Sequence, residues 1–150
     1  MRRDKTPLLL MEQLVTLLVF ALAAALCLQA FVTADRLSRR MADREQAAIH
    51  CQNAAETLKQ KAGDIPAALG ELGDVGRREG FGYFVSYGEG WSEFIPDGIR
   101  TVSYTLQVRP LESGLDGLGK AQVTAYGWDK GEMEELFSLE AAWQEVTADG

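Results

Sequence analysis

Residues 8–34 read LLLMEQLVTLLVFALAAALCLQAFVTA, and residues 35–62 continue DRLSRRMADREQAAIHCQNAAETLKQKA with neither proline nor glycine to interrupt them. How this run is read decides the fold. The first part holds a single charge, Glu12. As an α-helix it is about 40 Å long, against roughly 30 Å of bilayer hydrocarbon. A helix that is apolar all round is buried in a large core or in lipid, and a chain of 150 residues offers no core of that size. Residues 8–34 are therefore expected to cross a membrane.

Three segments of this kind have to be weighed. A secretory signal would use Arg2, Arg3 and Lys5 as its basic end and Val32-Thr33-Ala34 before the cut, but the apolar stretch is about twice the usual 7–15 residues. A lipoprotein signal would end at Cys27, where Leu26 replaces the expected small residue. A permanent anchor fits the length best. The Lys and Arg residues are nearly balanced, with Arg2, Arg3 and Lys5 before the span and Arg36, Arg39, Arg40 and Arg44 after it. The positive-inside rule therefore leaves the orientation open.

Beyond residue 34 the period becomes amphipathic. Leu37, Met41, Ala48, Cys51, Ala55, Leu58 and Ala62 recur at helical spacings, which predicts one apolar face. Arg36, Arg39, Arg40, Arg44, Lys59 and Lys61 mark the solvated side, and Gly63 with Pro66 predicts the end of the helix. One helix is thus expected to join span and module, which argues against a cleaved signal peptide. Residues 63–80 are Gly-rich and read as a connector with a short helix around 66–72.

From residue 81 the period falls to two. Phe81, Tyr83, Val85 and Tyr87 alternate with Gly82, Phe84 and Ser86, Gly88-Glu89-Gly90 turns, and 91–95 is expected to return as a short strand. Pro96-Asp97-Gly98 turns again. Val102, Tyr104, Leu106 and Val108 give the clearest strand, and 121–126 another. Residues 133–146 have a helical composition, yet Phe137, Leu139, Ala141 and Trp143 alternate, so a strand is expected there. The fold class is then α+β: a long N-terminal helix laid on an antiparallel sheet. The expected divisions are a basic leader 1–7, a membrane half 8–34, an amphipathic half 35–62, a connector 63–80 and a sheet region 81–150.

Composition narrows the function. The whole chain is 47% hydrophobic, yet its mean hydropathy is only -0.10. From Asp35 onward, 20 acidic residues face 12 basic ones, a net charge of -8. An acidic module with no basic, aromatic-laced stripe is a poor partner for nucleic acid. Disorder does not fit a module with all three Trp and all four Tyr in alternating segments.

No constellation for catalysis or metal binding stands out, so no enzyme activity and no cofactor are expected. His50, the single histidine, neighbours Cys51 on a helix, where adjacent side chains point about 100° apart. Cys27 and Cys51 are about 36 Å apart at helical rise and cannot bridge each other. Asp129, Glu132, Glu134 and Glu135 offer carboxylates to calcium but lack the EF-hand spacing, and a solvated hairpin is the plainer reading. The aromatic set Tyr83, Tyr87, Trp91, Trp128 and Trp143 reads as core and sheet surface.

The stretch Leu8-Leu9-Leu10-Met11-Glu12, followed by about twenty apolar residues and a polar helix, resembles the N-terminus of type IV pilins and type II secretion pseudopilins. In that family a basic leader ends in Gly, the cut falls just after it, and Glu is the fifth residue of the mature chain. Here the cut would fall between Pro7 and Leu8, with Pro7 in the place of Gly and Leu8-Leu9 in the place of Phe-Thr. Glu12 is the family glutamate. The resemblance implies that Glu12 pairs with the methylated amino terminus of a neighbouring subunit and sets register during assembly. The closing Leu-Phe-Ser-Leu-Glu-Ala-Ala-Trp-Gln, after an aromatic hairpin and two strands, is similar to minor pilin-like proteins of Gram-positive bacteria.

What this implies is a structural subunit of a secretion, competence or type IV pilus machine, minor or initiating in role. Its expected partners are other pilin-like subunits, a platform protein of the membrane, and lipid. Its module would lie on the extracytoplasmic face of a single-pass anchor. The other expectation left open is an anchored extracytoplasmic binding module that forms no filament.

Overall fold

The computed structural model describes residues 6–92, 102–129 and 131–145. Helix α1 is Thr6–Gln60, 55 residues long. Leu, Ala, Gln, Glu and Arg dominate it, all strong helix formers. Its stop is a Schellman arrangement. The Gly63 N–H donates to Leu58 O at 2.9 Å and the Ala62 N–H to Lys59 O at 3.2 Å. Ala62 itself holds the left-handed position, with φ of 50°. Gly63 follows it at φ 86°. A Cβ on Gly63 would overlap the Trp143 indole, so this position needs glycine for space as well as for φ.

Helix α2, Ile65–Gly70, is capped by Asp64, whose carboxylate accepts from the Ala67 N–H, and it has Pro66 in its first turn. It buries Ile65, Ala68 and Leu69. Among the described residues five strands follow: β1 Val75–Arg78, β2 Gly82–Tyr87, β3 Tyr104–Leu111, β4 Leu118–Asp129 and β5 Glu132–Gln144. Each pairs antiparallel with the next, so spatial order equals chain order. A bulge at Ala125/Tyr126 interrupts the long β4–β5 ladder.

The chain divides into two compact units, residues 1–41 and 42–150. In the second, Ala47, Cys51, Ala54, Ala55 and Leu58 of α1 pack in one core with Val85, Leu106, Val108, Val123, Ala125 and Ala141 of the sheet. Period-two alternation sends these sheet residues to one face. The opposite face carries a polar ladder. Thr124 Oγ1 and Ser138 Oγ lie 2.9 Å apart, Gln122 Nε2 donates to Ser138 at 3.2 Å, and Gln107 Nε2 donates to Phe81 O.

This is the expected α+β architecture, with three corrections. The connector 63–80 is partly structured: it holds α2 and also β1. β1 escapes the alternation rule because Gly76 and two arginines leave only Val75 to signal a strand. The strand expected at 91–95 begins instead inside a short 3-10 turn, Glu89–Trp91; residues 93–101, with the turn expected at 96–98, lie outside the described residues. The apolar stripe is displaced: Leu37, Met41 and Ala62 are exposed, while Ala47 and Ala54, absent from the expected stripe, are buried. α1 begins at Thr6, two residues before the expected membrane half.

Candidate functional site

Along residues 8–34 of α1 the large apolar side chains face outward, from Leu8, 74% exposed, to Phe31, 80% exposed. The most apolar 18-residue window of this helix has a mean hydropathy of 2.5 and none of it is buried. This helix is long and apolar enough to cross a membrane. Its hydroxyls are suited to that solvent. Thr16 Oγ1 donates to Glu12 O at 2.9 Å and Thr33 Oγ1 to Gln29 O at 2.8 Å. Donating to the carbonyl one turn back would leave no unpaired hydroxyl proton in an apolar surrounding.

Glu12 is the one ionisable side chain in this stretch besides Cys27. It lies one turn beyond Leu8, exposed like the apolar residues around it. Pro7 and Leu8, the candidate cleavage pair, sit in the first turn of the same helix, where a proline costs no intrahelical hydrogen bond.

In the second unit the structure brings together residues that no sequence signal joined. The His50 ring stacks on Trp91, with centroids 4.5 Å apart and planes at 13°. Trp91 stacks in turn on Tyr104, at 4.5 Å and 14°. Tyr87 closes the cluster, 5.0 Å from His50 and 5.4 Å from Trp91. The Tyr104 hydroxyl donates to Asp43 Oδ1 at 2.8 Å. Burial lowers the His50 pKa from 6.5. Burial, followed by the Asp43 hydrogen bond and charge, pushes the Tyr104 hydroxyl up to about 12. These residues are 50 and 91 and 104 in the chain, so only the folded meander makes them neighbours.

Cys51 is fully buried and its thiol is pushed up to about 12 by that burial. A nucleophilic cysteine needs the opposite shift. Among the described residues no group of three or more His, Cys, Asp or Glu is gathered to hold a metal ion. Glu132, Glu134 and Glu135 are exposed on the β4–β5 hairpin. A shallow groove of about 430 Å³ opens beside Trp143, lined by Gly63, Pro110, Leu118, Gly119 and Lys120 among others. The aromatic residues singled out by composition thus divide: Tyr87 and Trp91 are core, Tyr83 and Trp143 border it, and Trp128 is 44% exposed. Compared with known proteins, the chain matches no family model, no curated protein and no solved structure.

Proposed function

We propose that the chain is a pilin-like subunit, a structural part of a secretion, competence or pilus-like machine, minor or initiating in role and held by one membrane-crossing helix with its module outside. The observation that carries this reading is Glu12, a lone carboxylate in the otherwise uncharged stretch 8–34 of α1, whose side chains all face outward. A carboxylate at membrane depth costs on the order of 2.5–3.5 kcal/mol at the centre, and less near the interface. A cation from a neighbouring subunit removes much of that cost. The apolar side chains around Glu12 would then exchange lipid for other helices, held by close packing rather than by a hydrophobic drive. The α+β module, with helix on one face of an antiparallel sheet, is the layout the N-terminal resemblance implies. Pro7 in place of glycine favours a scarce subunit over a bulk one.

The test uses two copies of the full chain, differently tagged and co-expressed, and extracted in mild detergent. Co-purification of the two tags is expected, and Glu12→Ala should reduce it about tenfold or more, the loss of roughly 1.4 kcal/mol or more of pairing. Undiminished co-purification of the Glu12→Ala chain would reject the reading. Mass spectrometry of the N-terminus adds a second check, because a methylated start at Leu8 is the product the reading expects.

A further inference from the structure

Two exposed patches on this chain complement each other. The first is on α1. Leu37 and Met41 are 54% and 62% exposed, one turn apart. Arg36 and Arg40, also one turn apart, run beside them on the next sector of the helix. Residues 36–41 carry a net charge of +3, and among the described residues the one ion pair in that stretch joins Arg39 to Asp35 outside it, at 3.1 Å. The second patch is the β4–β5 hairpin. Trp128 pairs directly with Met133, so the two share a face, 44% and 40% exposed. Glu135 follows on that face, and Glu132 and Glu134, on the opposite face of the same strand, add to the negative charge at this end of the hairpin. Residues 129–135 carry a net charge of -3.

Each patch has an apolar pair beside like charges, and the signs are opposite. We infer that they are the two halves of one interface between copies of this chain: the Trp128–Met133 hairpin of one copy docks on the Leu37–Met41 sector of the next. An aromatic anchor with a charged rim is the usual anatomy of a contact surface. The patch cannot serve a two-fold dimer through itself, because it would set like charges together. A contact between two different patches closes as a two-fold dimer if both copies make it reciprocally; made in one direction only, it leaves each copy a free patch for the next. The inference rests on the self-assembly proposed above and adds to it a contact outside the membrane span. The charges set register and salt dependence; the apolar pairs supply the burial.

The test introduces Leu37→Cys in one tagged copy and Met133→Cys in a differently tagged one, with Cys27→Ala in both, and applies a short bismaleimide to membranes. A cross-linked species bearing both tags is expected. Its yield should fall at least about fivefold with Glu134→Arg plus Glu135→Arg, fall similarly with Arg36→Glu plus Arg40→Glu, and recover when opposite reversals meet. That recovery separates an interface from a folding defect. High salt should lower the yield, since exposed pairs are screened. Co-purifying tags with no mixed cross-link overturn this interface and leave the Glu12 reading intact. Tags that do not co-purify overturn both. Reversals that leave the yield unchanged also overturn it.

Discussion

His50 is set against Trp91 as a neutral ring. Burial lowers its pKa from 6.5, so folding favours the unprotonated form. The stability this contributes is present above pH 6.5 and is lost as pH falls through that value toward the lower folded pKa. Tyr87 and Tyr104 are pushed up to about 12, and Cys51 likewise, all chiefly by burial. The Tyr104 hydroxyl donates to the Asp43 carboxylate. Thermal melts are therefore expected to fall between pH 7.5 and 5.5, and His50→Gln should flatten that slope. A slope unchanged by the substitution would remove His50 from the account. The same sign rule gives a second loss at alkaline pH, from about 9 upward, as Cys51 and the two tyrosines ionise more readily in the unfolded chain than in the folded one.

At the scale of elements, the strands were legible wherever one face had to be buried. Val102 to Val108 alternates because the side chains of β3 go by turns to core and polar ladder, and β5 alternates for the same reason despite its helical composition. Neighbours on the sheet overrode propensity there. β1 was illegible because its Gly76 exists to admit the Phe84 ring, which a Cβ would overlap, and its arginines face water. The core stripe of α1 was legible only in part. Period marks which residues share a face but not where along a helix the sheet begins, so Leu37 and Met41 look like core and are not. Of the candidate site, Glu12 stood out in the sequence as a charge in an apolar run, whereas the His50–Trp91–Tyr104 stack depends on contacts between distant segments. These readings separate in one experiment. Leu58→Ala, at a fully buried position, should cost about 2–5 kcal/mol. Leu37→Ser and Met41→Ser should each stay within about 0.5 kcal/mol, as surface changes do. Denaturant melts of the full chain in detergent would show it, and a large loss at Leu37 would return that residue to the core.

For the whole molecule, the division near residue 41 has a practical outcome. Every residue of the buried core, from Ala47 to Ala141, lies in the second unit. A fragment of residues 42–150 is expected to fold without the apolar stretch and to melt cooperatively, with ellipticity and tryptophan fluorescence changing together. A fragment that shows no cooperative transition would mean that the first unit supplies stability to the second. The fragment should also be monomeric, since it lacks both Glu12 and the Leu37–Met41 sector.

The strand order holds one more consequence, in the time dimension. Because β1 to β5 are laid down in chain order, every strand pairs with the one that immediately precedes it. No pairing has to wait for a distant segment, and loop-closure costs stay small. The C-terminal part of α1, already formed, gives the first hairpin a surface to settle on, and each later strand adds to an edge that already exists. Growth of this kind can keep pace with a chain that emerges gradually from a ribosome or a translocation channel. It also fixes which edge is finished last: β5, thirteen residues long, which among the described residues closes the sequence of additions.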